Sequence, residues 1–407
     1  MSLIVLDDGR IKVADAIGFD PRNLDALSRL KTSNTVELAS FNHRLGKEAD
    51  YWDESIGSGG TSTHNSNTCS VDMATTTAIG SAVSRQTFRH FEYRRGSTQT
   101  IYISCVFGAP VANNFRRIGY FDDFNGAFFQ VSGSGFALGY RSSVTGSAVD
   151  TIIPQSAFNQ DKLNGTGPSG ITLDLTKPNL YVIEYSWAGV TTVKYNVIID
   201  GKIIPIHRID SANSSLLPNT QTAQLPIRLV NSNVGATSVG STLSVSYCGV
   251  FSSGASSFNR RIKLISSADS EVSVSVTDTL IYGIRLRSDR RNISVQAIEY
   301  DFMATAGSTF IYYQLLLRPS LTGEIVTIEN DLIERITEVA SYSGGIVIAQ
   351  GYINASSFGR VDLSIPIKND TYLGYSISNV PDSLIMVGRA VSGSASIFYN
   401  FYYREVY

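Results

Sequence analysis

The chain has 407 residues, with 33 basic and 35 acidic side chains and a net charge of −2. That balance gives no global field to hold a nucleic acid, and no apolar run approaches the ~18 residues of a membrane span. Charged residues are only 17% against 43% hydrophobic, which excludes wholesale disorder and favours turn-rich β-structure whose surfaces meet other protein.

Residues 1–40 read as a small arm. Val5 to Val13 forms a short strand pair around Asp8-Gly9, and Asp20-Pro21 opens a short helix over 22–31. Leu24, Leu27 and Leu30 give that helix an apolar stripe. An arm this small buries little of itself, so it is expected to anchor on a neighbour. Met1 to Leu6 lacks a basic n-region and meets Asp7-Asp8 at once, which is unlike a secretory signal. The chain is expected to be made in a cytoplasm.

Residues 41–265 read as one β-sandwich of jelly-roll type. Residues 83–93 and 99–107 look like strands paired across Arg94-Arg95-Gly96. Strands also flank Asn125-Gly126, a primed-turn signal. Residues 154–170 are polar and loop-like. The strongest local signal is Asp200-Gly201 between Thr191 and Ile209. Asp-Gly supplies the positive φ angles of a type I′ turn, so a hairpin is expected there. Residues 225–229 and 241–251 complete the set.

Residues 266–407 read as a second β-sandwich, with residues 331–339 as a short helix or a strand. The chain closes on an aromatic strand over 395–407. Phe398, Tyr399, Phe401 and Tyr403 put aromatics on both of its faces, so they are candidate interface residues of an oligomer. The fold class expected is therefore all-β: two sandwiches behind an N-terminal arm.

No motif supplies a catalytic constellation, so no catalytic residue, cofactor or metal ligand is assigned. Asp122-Asp123 beside Asn125 has Ca²⁺-type oxygens, but turn chemistry is the simpler reading. Glu92 and Glu184 lie in strand patterns. A glycosidase would need such a pair about 5–10 Å apart on one concave sheet, and no Glu-x-Asp-x-x-Glu cluster supports it. His43, His64, His90 and His207 form no metal-ligand spacing. Cys69, Cys105 and Cys248 are too few and too scattered for a disulfide scaffold. Basic clusters at Arg116-Arg117, Arg260-Arg261 and 285–291 read as solvated edges or intersubunit ion pairs. Exposed aromatics are the better lead: Tyr51, Trp52 and Tyr140 are candidate glycan contacts by ring stacking, whereas Trp187 reads as core.

Several segments carry a resemblance. They are Tyr51-Trp-Asp-Glu with the loop 57–64, the run from Gln86 to Ser97, the run from Arg117 to Phe129, and above all Pro154 to Leu175 leading to the Asp200 hairpin. Together they resemble a family of β-rich virion structural proteins of tailed bacteriophages, marine phages included. The similarity continues through Ile284 to Ser288 to the closing Tyr403-Arg404-Glu405. It implies a particle component of capsid, collar or tail, located in the virion, with no catalytic residue to carry over. The expected partners are further copies of the chain, a trimer first, and other virion proteins, without nucleic acid or membrane insertion. Two alternatives stand beside it: a glycan-binding adhesin recognising a host surface glycan, and a polysaccharide-degrading depolymerase.

Overall fold

The computed structural model describes residues 35–406, apart from 95, 188–191, 214–215, 254–261, 268–269, 291, 307–308, 355–356 and 364–370. It also describes a strand pair, Leu3–Val5 with Ile11–Val13, as expected around Asp8-Gly9. The expected helix with Leu24, Leu27 and Leu30 lies outside the described residues. Among the described residues the architecture is all-β, and its one helical element is a 3₁₀ turn at Gln155–Ala157. No helix there is long and apolar enough to cross a membrane.

Two antiparallel sheets form the first sandwich. One runs, in spatial order, Val149–Pro154, Gly135–Ser142, Gly126–Ser132, Asn114–Phe121, Ile227–Asn233, Ala82–Thr87 and Trp52–Ile56. The other runs Lys202–Ile209, Val193–Ile199, Asn179–Tyr185, Gln99–Val106, Ser241–Ser253, Ser70–Thr75 and Thr61–Asn65. Thr35–Phe41, at the end of the sequence-defined arm, pairs with Ser241–Ser253 in this second sheet. Period-two alternation turns one face of each sheet inward. Phe129 of the first meets Tyr181 of the second at 5.0 Å between ring centroids, and Tyr120 meets Tyr185 at 5.8 Å.

The Asp200-Gly201 hairpin forms as the turn chemistry dictates, with φ of 51° and 71° and its strands paired from Val193/Ile209 to Ile199/Lys202. Three local expectations are corrected. Residues 82–87 and 99–106 lie in opposite sheets and do not pair. The Asn125-Gly126 connection is a four-residue loop, because Phe121 pairs with Gly126. Asp122 Oδ1 accepts from the N–H groups of Phe124 and Asn125, each at 2.7 Å, and so shapes that turn. Arg116 is no solvated edge: it is buried and donates to the carbonyls of Phe107 and Ala109.

Two further sheets form the second sandwich. One has the order Ile262–Ser266, Ala395–Val406, Ser294–Ala306, Phe358–Asp362. The other has Ile325–Ile328, Ile333–Glu338, Thr279–Leu286, Ser383–Ala390, Ile311–Leu317 and Ile346–Ile353. The stretch left open between helix and strand is thus the strand Ile333–Glu338. Tyr282 packs on Tyr399 and Phe401 at 4.8 and 5.5 Å. The two sandwiches have separate hydrophobic cores.

Backbone and side-chain bonds join the sandwiches. Tyr375 N–H donates to Phe88 O at 3.0 Å, Ile377 N–H to Asp53 Oδ2 at 2.7 Å, and Ser294 Oγ to His90 O at 3.0 Å. Gly374 lets the chains approach this closely, since a Cβ there would sit 1.9 Å from Phe88 O.

Candidate functional site

Where the sandwiches meet, a cavity of about 270 Å³ opens. The first sandwich contributes Ser40, Phe41, Glu48, Asp50, Tyr51, Thr87 and Arg89; the second contributes Leu317, Arg318, Ile346 and Tyr372. Each guanidinium is already held. Arg89 donates to both oxygens of Glu92 at 2.8 and 3.0 Å and to Leu38 O at 2.9 Å, and it lies 3.7 Å from the Tyr372 ring centroid. Burial works against its charge, but the Glu92 carboxylate outweighs this and raises its pKa. Arg318 lies 3.9 Å from the Phe88 ring centroid, 2.9 Å from Asp382 Oδ2, and donates to Asp50 O at 2.8 Å.

Glu48 reaches the cavity from a turn in which its own φ is 53° and that of His43 is 45°. Its Oε2 lies 3.4 Å from His43 Nδ1. Burial raises the Glu48 pKa against the opposing pull of the Asn42 N–H and Arg85. His43 is fully buried, and burial, then Arg85 and His64, lower its pKa to about 3. The histidines isolated in sequence are thus not all isolated in space: His64 Nε2 lies 2.8 Å from His43 O.

The three candidate glycan contacts separate. Tyr51 is half-buried and lines this cavity. Trp52 is 2% exposed, with Phe41 edge-on at 5.3 Å and the Arg85 guanidinium 4.9 Å over its ring. It therefore offers no ring face to a sugar, a correction that follows from its place on the inner side of its strand. Tyr140 is 9% exposed and lies in an open groove of about 620 Å³ between the edge strands Val149–Pro154 and Lys202–Ile209. That groove is rimmed by Val149, Ile153, Ile209 and Leu217. Trp187 packs against the first core and donates from Nε1 to Thr220 O at 3.1 Å.

The two candidate carboxylates are not presented to a groove. Glu92 is 1% exposed and Glu184 is 3% exposed, and neither lines either cavity. Among the described residues no group of three or more His, Cys, Asp or Glu side chains converges as for a metal. All three cysteines are free thiols.

The aromatic terminal strand also divides. Tyr399, Phe401 and Tyr403 are buried in the second core, so they are not interface residues. Phe398 points the other way. On that outer face it pairs with Met303, which pairs with Phe358 on the edge strand, giving a row across three strands. Met303 is 45% exposed and Phe358 64%. Leu264 and Tyr402, cross-strand partners, continue the face. Sequence reasoning missed Glu48, Arg318, Met303 and Phe358, because each is isolated in its local pattern.

No family model matches the sequence, and no curated protein matches it. Among solved structures the chain is similar to a family 16 glycosyl hydrolase from Mycobacterium smegmatis, at 10% identity and TM-score 0.37 over 53% of this chain and 100% of that one. It is also similar to the catalytic domain of an endo-1,3-β-glucanase (laminarinase) from Thermotoga petrophila, at 11% and 0.37 over 55% and 100%. A legume lectin-like domain from Entamoeba histolytica matches at 9% and 0.34 over 55% and 100%. Likeness of this grade says nothing about activity.

Proposed function

We propose that the chain is a structural component of a virion of the tailed-bacteriophage kind, working through oligomeric protein–protein assembly. The resemblance of its sequence segments supplies the setting. The observation that carries the assembly is the outer face of the sheet containing the terminal strand. The outer face of the other six-stranded sheet is partly covered, since Leu316, Ile336, Ile385 and Val387 pack beneath Leu321 and Tyr342 of a small β-ribbon while Val347 and Tyr352 near its edge stay exposed. The Phe358–Met303–Phe398 row also has exposed apolar side chains, and a run of exposed apolar side chains across three strands suits an interaction site.

The occupant that fits is a second copy of this chain. Arg360, Asp301, Glu299 and Asp362 stand between the apolar rows, with Arg360 paired to Glu299 within the chain. Phe358–Asp362 is also the last strand of its sheet, where an unpaired edge can extend into a neighbour. The first copy number to test is a trimer. Hydrogen exchange at residues 299–303 and 358–362 should slow as the protein is concentrated from micromolar to sub-millimolar. Exchange that is independent of concentration contradicts the reading.

A glycan-binding role is the second reading. One observation favours it, the cavity beside Tyr51.

A further inference from the structure

We propose that the cavity between the two sandwiches binds one neutral, polyhydroxylated ring, a single hexopyranose unit of a glycan. At about 270 Å³ the cavity lies just under the ~300 Å³ lower end of small-molecule sites. It has room for about one sugar ring.

Charge then narrows the chemistry. An anion would have to find a free guanidinium, but Arg89 is committed to Glu92 and Arg318 to Asp382. Glu48 and Asp50, also on the wall, repel an anion further. An ammonium ligand held by cation–π contact would need open aromatic faces. The faces of Tyr372 and Phe88 are already covered by Arg89 and Arg318 at 3.7 and 3.9 Å. With both guanidiniums paired, the charge left on the wall is that of Glu48 and Asp50. The cavity presents the carboxyl groups of Glu48 and Asp50 and an apolar wall of Phe41, Leu317 and Ile346. A pyranose meets that combination, with hydroxyls that donate to carboxyl oxygens and C–H faces that pack on apolar side chains.

Backbone strain points to the same place. Glu48 and Arg318 have φ of 53° and 55°, in the left-handed region that costs an L-residue roughly 1–2 kcal/mol. Neither is Gly or Asn, one comes from each sandwich, and both line one cavity. Strained backbone of this kind also occurs elsewhere in the chain, at Cys69 and Leu163, but it is often retained where side chains are positioned for a ligand. A sugar held here touches both sandwiches, so it tightens their junction.

The test uses the full chain and four methyl glycosides, of glucose, galactose, mannose and N-acetylglucosamine, at up to about 10 mM. Saturation-transfer NMR reads binding and thermal denaturation reads the junction. At least one glycoside should show transfer and raise the melting temperature. Acetate and tetramethylammonium should do neither. Glu48→Gln should weaken that glycoside about fivefold, the worth of one hydrogen bond. It should leave the melting temperature unchanged or higher, because burial disfavours the Glu48 charge. Ile346→Trp, which fills the cavity from its rim, should abolish binding. The proposal is overturned by no transfer from any of the four, by equal binding to the Ile346→Trp protein, or by acetate or tetramethylammonium binding as tightly as the best glycoside.

Discussion

Gly374 is where one added methyl group would do most damage. Its Cβ would have to sit 1.9 Å from Phe88 O, and backbone on both sides of the junction leaves nothing flexible to yield. Gly374→Ala should therefore force the sandwiches apart at Tyr375 and cost about 1–3 kcal/mol, the usual penalty of overpacking. Calorimetry should resolve two transitions where the wild type shows one. An unchanged single transition would mean the junction is not set by this approach. Two buried histidines make a second residue-scale prediction. His43 and His90 have pKa values lowered to about 3 and about 4 from 6.5, chiefly by burial. Above pH 6.5 both folded and unfolded states are neutral and stability is unaffected. Below it only the unfolded chain takes the proton, so stability falls as the pH drops towards the folded values. The loss is about 2 kcal/mol per histidine by pH 5. Urea midpoints at pH 7 and pH 5 should show it, and His90→Gln should flatten the slope. An identical slope in that variant would exclude His90 as a contributor.

The terminal strand shows what one element can and cannot disclose. Ala395–Val406 alternates as far as Glu405, with Tyr399, Phe401 and Tyr403 inward and Phe398, Asn400 and Tyr402 outward. Tyr399→Ala should cost about 3–5 kcal/mol, as large aromatic truncations in cores do. Phe398→Ser should change stability by no more than about 0.5 kcal/mol while weakening self-association. Equal destabilisation by both variants in urea would mean that the outer face is buried within the single chain. The sequence shows the alternation but not which phase faces the core, because both phases carry aromatics. The Asp200-Gly201 hairpin is legible because its two residues alone satisfy the turn. Asn125-Gly126 misleads because Asp122, three residues earlier, takes the turn's N–H groups with its own carboxylate. Residues 82–87 and 99–106 are both good strands, yet propensity cannot say that they belong to opposite sheets.

The candidate cavity was hidden for a reason of scale. Glu48 and Arg318 meet only because two sandwiches dock, and no local signal marks a glutamate or an arginine that will adopt a positive φ. Tyr51 alone was legible, as an aromatic beside turn residues. Among the described residues the molecule joins two cores, a close junction between them and an apolar face exposed across three strands. The face carries the central claim, that this chain works by assembling with itself. The most direct test is the solution mass by light scattering behind a sizing column, for the wild type and for the double variant Met303→Glu/Phe358→Glu. The account predicts an oligomer, with a trimer expected, that the double variant converts to a monomer of unchanged melting temperature. A wild type that stays monomeric at high concentration, or an oligomer that ignores both charges, would contradict it.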